Sequence, residues 1–505
     1  MSRRAGSRFT RWTPRPWLGL ALLAAAGMLA GAVVGPSPAA GAPADPTATL
    51  PARLEERLPA LIERYEVPGA AIAVVQDGAV TWTRAYGVAD AGSGRALESD
   101  TIFRAESLSK PIAAATVLTL VEDGLIALDD PLAAHVPDWP FPDAGPEAAA
   151  VTIRQLLSHR AGLQLGTIGI EFAPDEDRPS LREHLADEAV LVRPPGESFL
   201  YSNPGYDLLE LLVEEITGTG FASVAEDRVL GPLGMADASF AWDGDRAARL
   251  ASGHELDGLI VAPYVYATSA SGGLLATADD LGRFAAVLAT ADAASMRPHE
   301  RAVAGLLTPT GPLAGPYRAV ADRHGMGVFL ETLPDGGDAA FSGGQGHGWM
   351  SHLHVLPGTG DGIVILTNSQ RSWPLIAHVL TDWAELAGAG AVGMGRIVTA
   401  TRLVWLAIAA ILAASAWQGW RLARQAARQP DDGRGRSTRS AASRLLQGVV
   451  GLIALGTLLW AGQQDYLFVT SVFPAASPWL GVSIGVLGLV LVASSVSPTR
   501  RERAG

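Results

Sequence analysis

Ser107 and Lys110 stand three residues apart in Ser107-Leu108-Ser109-Lys110-Pro111, just ahead of an apolar run from Ile112 to Val121. If a helix starts near Ser107, Pro111 falls in its first turn, where a missing N–H costs nothing. The i to i+3 spacing then sets Lys110 on the same face as Ser107. A serine hydroxyl becomes a nucleophile when a neighbour takes its proton, and a lysine can do that only when neutral. Burial and the positive end of a helix both lower an ammonium pKa from about 10.4 towards neutrality, and an arginine has no usable neutral form. Composition singles out the same residue. Of 38 basic residues, Lys110 is the one lysine and the rest are Arg; a GC-rich coding bias accounts for the arginines, and the exception falls where arginine could not serve.

Two further groups could join this pair. Tyr201-Ser202-Asn203 sits in a turn-rich approach to an amphipathic stretch, where a loop can present a phenol and an amide. Phe341-Ser342-Gly343-Gly344-Gln345 lies before a strand-like run, where glycines would let a substrate backbone approach closely. In this order and these surroundings, the three groups resemble the serine beta-lactamase and penicillin-binding-protein superfamily, in its class C beta-lactamase, D-alanyl-D-alanine peptidase and esterase branch. The stretches FRAESLSKP, LLSHRAGL (156–163), GGLLATADDLGRF (272–284) and GIVILTNSQ (362–370) read the same way, and the resemblance spans about residues 50–387. It implies an α+β fold: an extended antiparallel sheet flanked by helices, an all-helical subdomain, and the active site between them.

The resemblance also implies roles. Ser107 would be the acylated nucleophile, Lys110 its general base or a relay for it, and Tyr201 the proton shuttle to the leaving group. Asn203 would hold a substrate amide, Ser342, Gly343, Gly344 and Gln345 would line the substrate, and the backbone N–H groups of Ser107 and Gln345 would form the oxyanion hole. No metal or organic cofactor is implied. One departure matters: the third motif of the family normally opens with Lys or His, and here that position is Ser342. A hydroxyl brings no positive charge to a substrate carboxylate, so an ester or amide without an obligatory carboxylate is expected. His347 is the candidate stand-in for that charge. Other candidates carry less. His352 and His354 would share a strand face as a ligand pair, but no third ligand pattern lies nearby. Gly481-Val482-Ser483-Ile484-Gly485 matches a nucleophile-elbow pattern inside an apolar segment, where small residues serve helix packing. Glu106 reads as a solvated acid and Asp129-Asp130 as a turn.

The elements that must position these groups are legible in outline. Ala70–Gln76 and Val80–Val88 read as strands joined by a hairpin at Asp77-Gly78, and Gly325–Leu330, Trp349–Leu356 and Gly362–Asn368 read as later strands. Helical periodicity dominates between the two sets, as in Leu208–Ile216 and Leu281–Ala289. A sheet assembled from both ends of the domain, facing a helical insertion, is expected.

The 505 residues include no Cys, which excludes a disulfide scaffold and a thiol enzyme. Residues 1–15 carry five Arg and no acid, and residues 421–505 carry ten Arg against four acids. The 405 residues between them hold 23 basic and 47 acidic residues. An acidic middle argues against a nucleic-acid partner, and basic flanks beside apolar runs point to a lipid bilayer. Residues 1–42 read as a signal peptide or signal anchor and 43–50 as a linker, followed by a hydrolase domain at 51–387 and a second linker at 388–402. Three spans follow at 403–420, 445–462 and 480–496, with an Arg-rich cytoplasmic loop at 421–444 and a cytoplasmic tail at 497–505. Positive charge alternates across the spans and leaves the catalytic domain on the extracytoplasmic side of a multi-pass cell-membrane protein. The expected function is a membrane-anchored serine hydrolase, esterase-like or D-amino-acid-peptidase-like, acting on a small-molecule or peptide substrate. The alternatives are a true beta-lactamase, or a catalytically quiet envelope protein that binds or signals.

Overall fold

Leu50, Leu54, Leu58, Leu61 and Tyr65 recur at three- and four-residue intervals and are buried along one stripe of helix α1 (Leu50–Tyr65). Pro51 occupies its first turn, and Glu66 closes it in the left-handed region. Asp77 and Gly78, both at positive φ, form the tight turn between β1 (Gly69–Gln76) and β2 (Ala79–Asp90), the conformation an Asp-Gly pair favours. The computed structural model describes residues 49–136, 146–167, 170–290, 296–427, 441–464 and 468–496, within the unit Thr49–Gly505. The expected signal segment, most of the Arg-rich loop and the tail lie outside the described residues.

The remaining strands are β3 (Arg95–Ala96), β4 (Phe103–Arg104), β5 (Leu275–Ala276), β6 (Gly311–Pro312), β7 (Arg323–His324), β8 (Phe329–Thr332), β9 (Asp338–Gln345), β10 (Met350–Leu356) and β11 (Asp361–Thr367). Of the eleven strands among the described residues, nine form one antiparallel sheet in the order β3-β2-β1-β11-β10-β9-β8-β7-β6, while β4 pairs with β5. Strand β1, from the start of the domain, lies beside β11 from its end, with Ala70 opposite Thr367 and Val75 opposite Gly362. Both faces of these central strands are covered, so they read as continuous apolar runs rather than alternating ones.

The two faces are packed differently. Ile72 and Val74 meet α1 and α5 (Trp373–Leu386), whereas Ala71, Ala73 and Val75 face the larger core. The small residues on that second face let helix α4 (Ala278–Thr290) come close: a Cβ on Gly282 would lie 3.1 Å from that of Ala73. Between β4 and β5 the regular elements are helical, among them α2 (Ser109–Glu122) and α3 (Asn203–Thr217). Helix α2 is buried from Ser109 to Leu120 on every side, which is why its sequence shows no polar stripe.

One strand expectation is corrected and another is extended. Of Gly325–Leu330, only Phe329 and Leu330 are in a strand. Gly327 takes φ +92°, and a Cβ on Gly325 would come 2.2 Å from the Leu306 carbonyl oxygen, so the glycines serve a dip towards other chain segments. Phe341–Gln345 does precede a strand, β10, and is itself the end of β9. Its Ser- and Gly-rich sequence has little strand propensity, and the ladder with β10 supplies the order.

The three apolar segments lie within α6 (Arg396–Ala427), α7 (Ala441–Ala461) and α9 (Ser477–Val496), with a short helix α8 (Phe468–Val472) between the last two. All three long helices are long and apolar enough to cross a membrane. Helix α9 packs against both α6 and α7. Glycines bring it close to α7: a Cβ on Gly451 would lie 2.8 Å from the Gly488 carbonyl oxygen, and Gly481 and Gly485 face Leu458. Gln418 donates to Ser494 Oγ at 2.9 Å and Ser494 donates to Gln447 at 2.8 Å, joining the three helices at one end.

Leu58 is fully buried between α1 and the sheet, so Leu58→Ala should cost about 2–5 kcal/mol. Denaturant titration of the full chain in detergent, followed by tryptophan fluorescence, measures this. A loss well below about 1 kcal/mol would mean that α1 is not part of the core.

Candidate active site

Three segments distant in sequence meet at the start of α2. Residues Glu106–Leu108 form a single 3-10 turn and the α-helix proper begins at Ser109, so the helix expected from Ser107 starts two residues later. Lys110 is nonetheless one turn on from Ser107, with its Nζ 3.1 Å from Ser107 Oγ. The amine also donates to the Ser271 carbonyl oxygen at 2.6 Å and is almost fully buried. Burial pulls its pKa down from 10.5 to about 7, against the opposing pull of the Asp207 and Glu106 carboxylates. A neutral amine placed this way can donate one N–H to Ser271 and offer its lone pair to the serine proton.

Tyr201 completes the cluster from the loop before α3. Burial pushes its phenol up to about 12, with a hydrogen bond to Ser107 acting in the opposite direction. Its ring is stacked on His159 at 4.3 Å and on Tyr317 at 5.8 Å, and Lys110 Nζ lies 5.0 Å from its centroid. His159 grips this loop twice: its carbonyl oxygen accepts from Leu200 N–H at 2.8 Å and its Nδ1 accepts from Ser202 N–H at 3.2 Å. Burial, with His324 and Lys110 nearby, holds the imidazole pKa well below 6.5, so the ring is a neutral acceptor. Ser202 Oγ then caps α3 by accepting from Gly205 N–H at 3.1 Å. Asn203, the first residue of α3, is half-buried and donates its backbone N–H to the Leu165 carbonyl oxygen at 3.0 Å.

The third segment is the end of β9. Strand β8 pairs with β9 only as far as Phe341, leaving Ser342–Gln345 laddered to β10 alone. Gly346 N–H donates to the Trp349 carbonyl oxygen. Antiparallel alternation from that bond turns the peptide groups of Gly343 and Gln345 towards the side that β8 does not reach. The glycines of this segment let other parts of the chain come close. A Cβ on Gly344 would fall 2.3 Å from the Ala105 carbonyl oxygen, one on Gly346 2.1 Å from Glu106 Cδ, and one on Gly343 3.2 Å from the Trp373 ring. Their space is filled by the turn that carries Ser107 and by α5.

Glu106 corrects another expectation. It is buried at φ +53°, paired with Arg104 at 3.1 Å, and accepts hydrogen bonds from Tyr264 at 3.0 Å and Tyr266 at 2.7 Å. The Arg104 guanidinium lies 4.1 Å from the centroid of the Tyr264 ring. Arg104 is two residues away, but the two tyrosines that complete the burial come from about 160 residues away and leave no local mark on this acid. Glu106 and His159 both hold left-handed backbone beside the cluster, a conformation that costs of order 1–3 kcal/mol in a residue with a side chain.

Sequence reasoning also missed Glu210. Buried on α3, it accepts from the Ser269 and Ala270 N–H groups at 2.7 Å each and so anchors the loop that presents the Ser271 carbonyl to Lys110. Burial foremost, and then the Asp207 charge, raise its pKa to about 8. The available signal was an acid on the apolar stripe of an amphipathic helix.

His347 is no free cation. Its Nδ1 meets Glu171 at 2.9 Å and its Nε2 meets Glu255 at 3.0 Å, and hydrogen bonding to Glu171 foremost lifts its pKa to about 9. Arg371 is committed to the carbonyls of Tyr65 and Leu256 and to Glu66. His352 and His354 lie 3.3 Å apart in the core between Phe341 and the α5 tryptophans, and no group of three metal-binding side chains occurs among the described residues.

Comparison with known proteins gives a consistent result. The Beta-lactamase family model matches residues 52–381. Penicillin-binding protein 4 of Amycolatopsis lactamdurans is 31% identical over 360 residues, 67% of this chain and 90% of that protein. Esterase EstB of Burkholderia gladioli is 35% identical over 214 residues, 39% of this chain and 54% of that protein. The octameric penicillin-binding protein homologue from Pyrococcus abyssi shares the fold, with a TM-score of 0.57 at 23% identity over 67% of this chain and 77% of that one.

Two pH effects follow from these environments. Between about 7 and 10.5 the unfolded chain holds a proton on Lys110 that the folded chain has released, so this group makes stability rise with pH across that window. Lys110→Met should therefore raise the melting temperature at pH 6 and confer a shrinking advantage towards pH 10; a pH-independent difference would contradict the buried-amine assignment. His347 has the opposite sign. Its contribution is complete below 6.5 and is lost as pH rises through about 9. Protection of the loops carrying Glu171 and Glu255 against hydrogen exchange, corrected for the intrinsic rise of the exchange rate with pH, should fall over that range in the parent chain but not in His347→Gln.

Proposed function

We propose that this chain, which belongs to the beta-lactamase family and is a serine hydrolase of the SxxK type, hydrolyses an ester or amide through a Ser107 acyl-enzyme. The observation that carries the reading is the 3.1 Å contact between Ser107 Oγ and an amine whose pKa is brought to about 7. Neutral Lys110 takes the Ser107 proton as Oγ attacks the substrate carbonyl carbon, and the backbone N–H groups of Ser107 and Gln345 stabilise the oxyanion. The tetrahedral species collapses with cleavage of the bond to the leaving oxygen or nitrogen, which receives the proton from Lys110 through the Tyr201 phenol. With a pKa near 12, that phenol stays protonated between transfers. A water molecule, losing its proton to the same pair, then attacks the acyl carbon. Ser107 leaves with that proton, and a carboxylic acid is released. Asn203 holds a substrate amide where one is present.

The substrate has no obligatory carboxylate. Ser342 offers a hydroxyl where the family pattern has a cation, His347 is held by two glutamates, and the Trp373 indole fills the space beside Gly343. These features favour esterase-like or D-amino-acid-peptidase-like turnover over the hydrolysis of acidic beta-lactams. The domain is anchored by α6, α7 and α9 and works outside the cytoplasm. Alternating Arg in the connecting segments supports that orientation, as does the packing of α5 against both α6 and α8, at the end of the bundle away from the Arg-rich loop.

The purified full chain should be labelled at Ser107 by a fluorophosphonate and should turn over p-nitrophenyl butyrate. Ser107→Ala and Lys110→Arg should each lower kcat by about 10³-fold or more. In the parent chain kcat/KM should climb with pH through about 7 as Lys110 loses its proton. An unlabelled Ser107 with no turnover would instead favour a non-catalytic binding role. Any hydrolysis of a beta-lactam should survive esterification of its carboxylate, and strict dependence on the free acid would overturn the substrate assignment.

A further inference from the structure

The wall of the candidate active site is built on the root of the first apolar helix. Tyr317, stacked on Tyr201, belongs to the loop between β6 and β7. Two residues on, the Ala319 carbonyl oxygen accepts a hydrogen bond from Arg396 Nη1 at 2.7 Å, and Arg396 is the first residue of α6. Gly393 packs so tightly under this loop that a Cβ would lie 2.2 Å from the Val320 carbonyl oxygen, and its N–H bonds the Glu331 carboxylate on β8. Val392 and Met394 are buried in the core cluster that Tyr317 and Val320 pack against. Chain from the catalytic wall to the apolar helix is therefore continuous packed structure, not a free tether.

The distances are short. Leu403 and Leu406 begin the exposed apolar surface of α6, and the seven residues from Arg396 to Leu403 span only about 10 Å of helix. A second contact seats the domain, because α8, in the connection between α7 and α9, packs against α5. Near the site, Leu165, whose carbonyl oxygen accepts from Asn203 N–H, is exposed, and the rings of Tyr201, Tyr317 and Trp373 are half-buried.

From this we infer that the Ser107 site draws its substrate from the bilayer: an ester or amide carried by an amphiphile whose apolar tail stays in the membrane while its carbonyl reaches the site along the 313–322 loop. The inference rests on the serine-hydrolase reading above and adds the source and class of its substrate.

The test uses the full chain reconstituted in phosphatidylcholine–phosphatidylglycerol vesicles. Soluble p-nitrophenyl butyrate is compared with p-nitrophenyl palmitate, the latter placed either in the protein's own vesicles or in separate ones. Palmitate in the same bilayer should be turned over about tenfold or more faster than in separate vesicles at equal total concentration, because a shared membrane raises its effective concentration at the site. A Gly-Ser linker of about 20 residues, with a reach of about 25 Å, inserted between Ala400 and Thr401 should reduce that advantage while leaving butyrate turnover intact. Equal rates in the two vesicle arrangements, or an advantage undiminished by the linker, would overturn the inference. Loss of butyrate turnover together with Ser107 labelling would instead overturn the hydrolase reading beneath it.

Discussion

One buried amine organises the rest of this domain. Lys110 is enclosed at the start of α2, where desolvation brings its pKa to about 7, and its position is set by one carbonyl, that of Ser271, and one hydroxyl, that of Ser107. Each of those atoms needs its own support. Glu210 pins the Ser271 loop through two backbone N–H groups. Ser351 on β10 holds the Ala105 carbonyl at 2.6 Å, two residues before Ser107, and the absent side chains of Gly344 and Gly346 leave room for the turn between them. A lysine in this setting lowers stability at neutral pH, which is the usual price of a pre-organised site.

The charges around the amine are arranged in closed sets. Arg104 and Glu106 neutralise one another beneath the nucleophile turn, with two tyrosine hydroxyls satisfying the carboxylate. A buried pair of this kind adds little net stability, yet breaking it by removing one partner is costly. Its evident structural effect is to hold a left-handed residue immediately before Ser107. His347 with Glu171 and Glu255 is a second closed set, tying three loops together near the end of β9. Because both cations are consumed internally, neither supplies the charge missing at Ser342, and the neutral-substrate reading depends on pairing as much as on the identity of residue 342.

The apolar C-terminal region is coupled to this arrangement through packing. Helix α6 does not begin after a spacer: Val392 and Met394 lie in the same core cluster as α1 and α5, and Arg396 holds the loop bearing Tyr317. Tyr317 in turn stacks with Phe329, and Phe329 with Phe341 on β9. The aromatic series that steadies Tyr201 is thus continuous with the base of the apolar helices.

By itself the sequence determined what depends on local order: the three-residue step from Ser107 to Lys110, the Asp77-Gly78 turn, the stripe of α3, the apolar length of three helices and the placing of arginines between them. Helical and strand periods, turn chemistry and charge are properties of neighbours along the chain, so they can be read there. Tertiary structure alone decided that Glu106 is buried and paired, that His347 is engaged on both nitrogens, that Glu210 holds the lysine's acceptor, that Gly344 and Gly346 make room for the nucleophile turn, and that residues 338–345 form a strand despite their composition. Each of these outcomes is set by partners at a distance, such as Tyr264 and Tyr266 for Glu106 or β10 for β9. Burial and ion pairing are properties of assembled surfaces, and no window of sequence contains them.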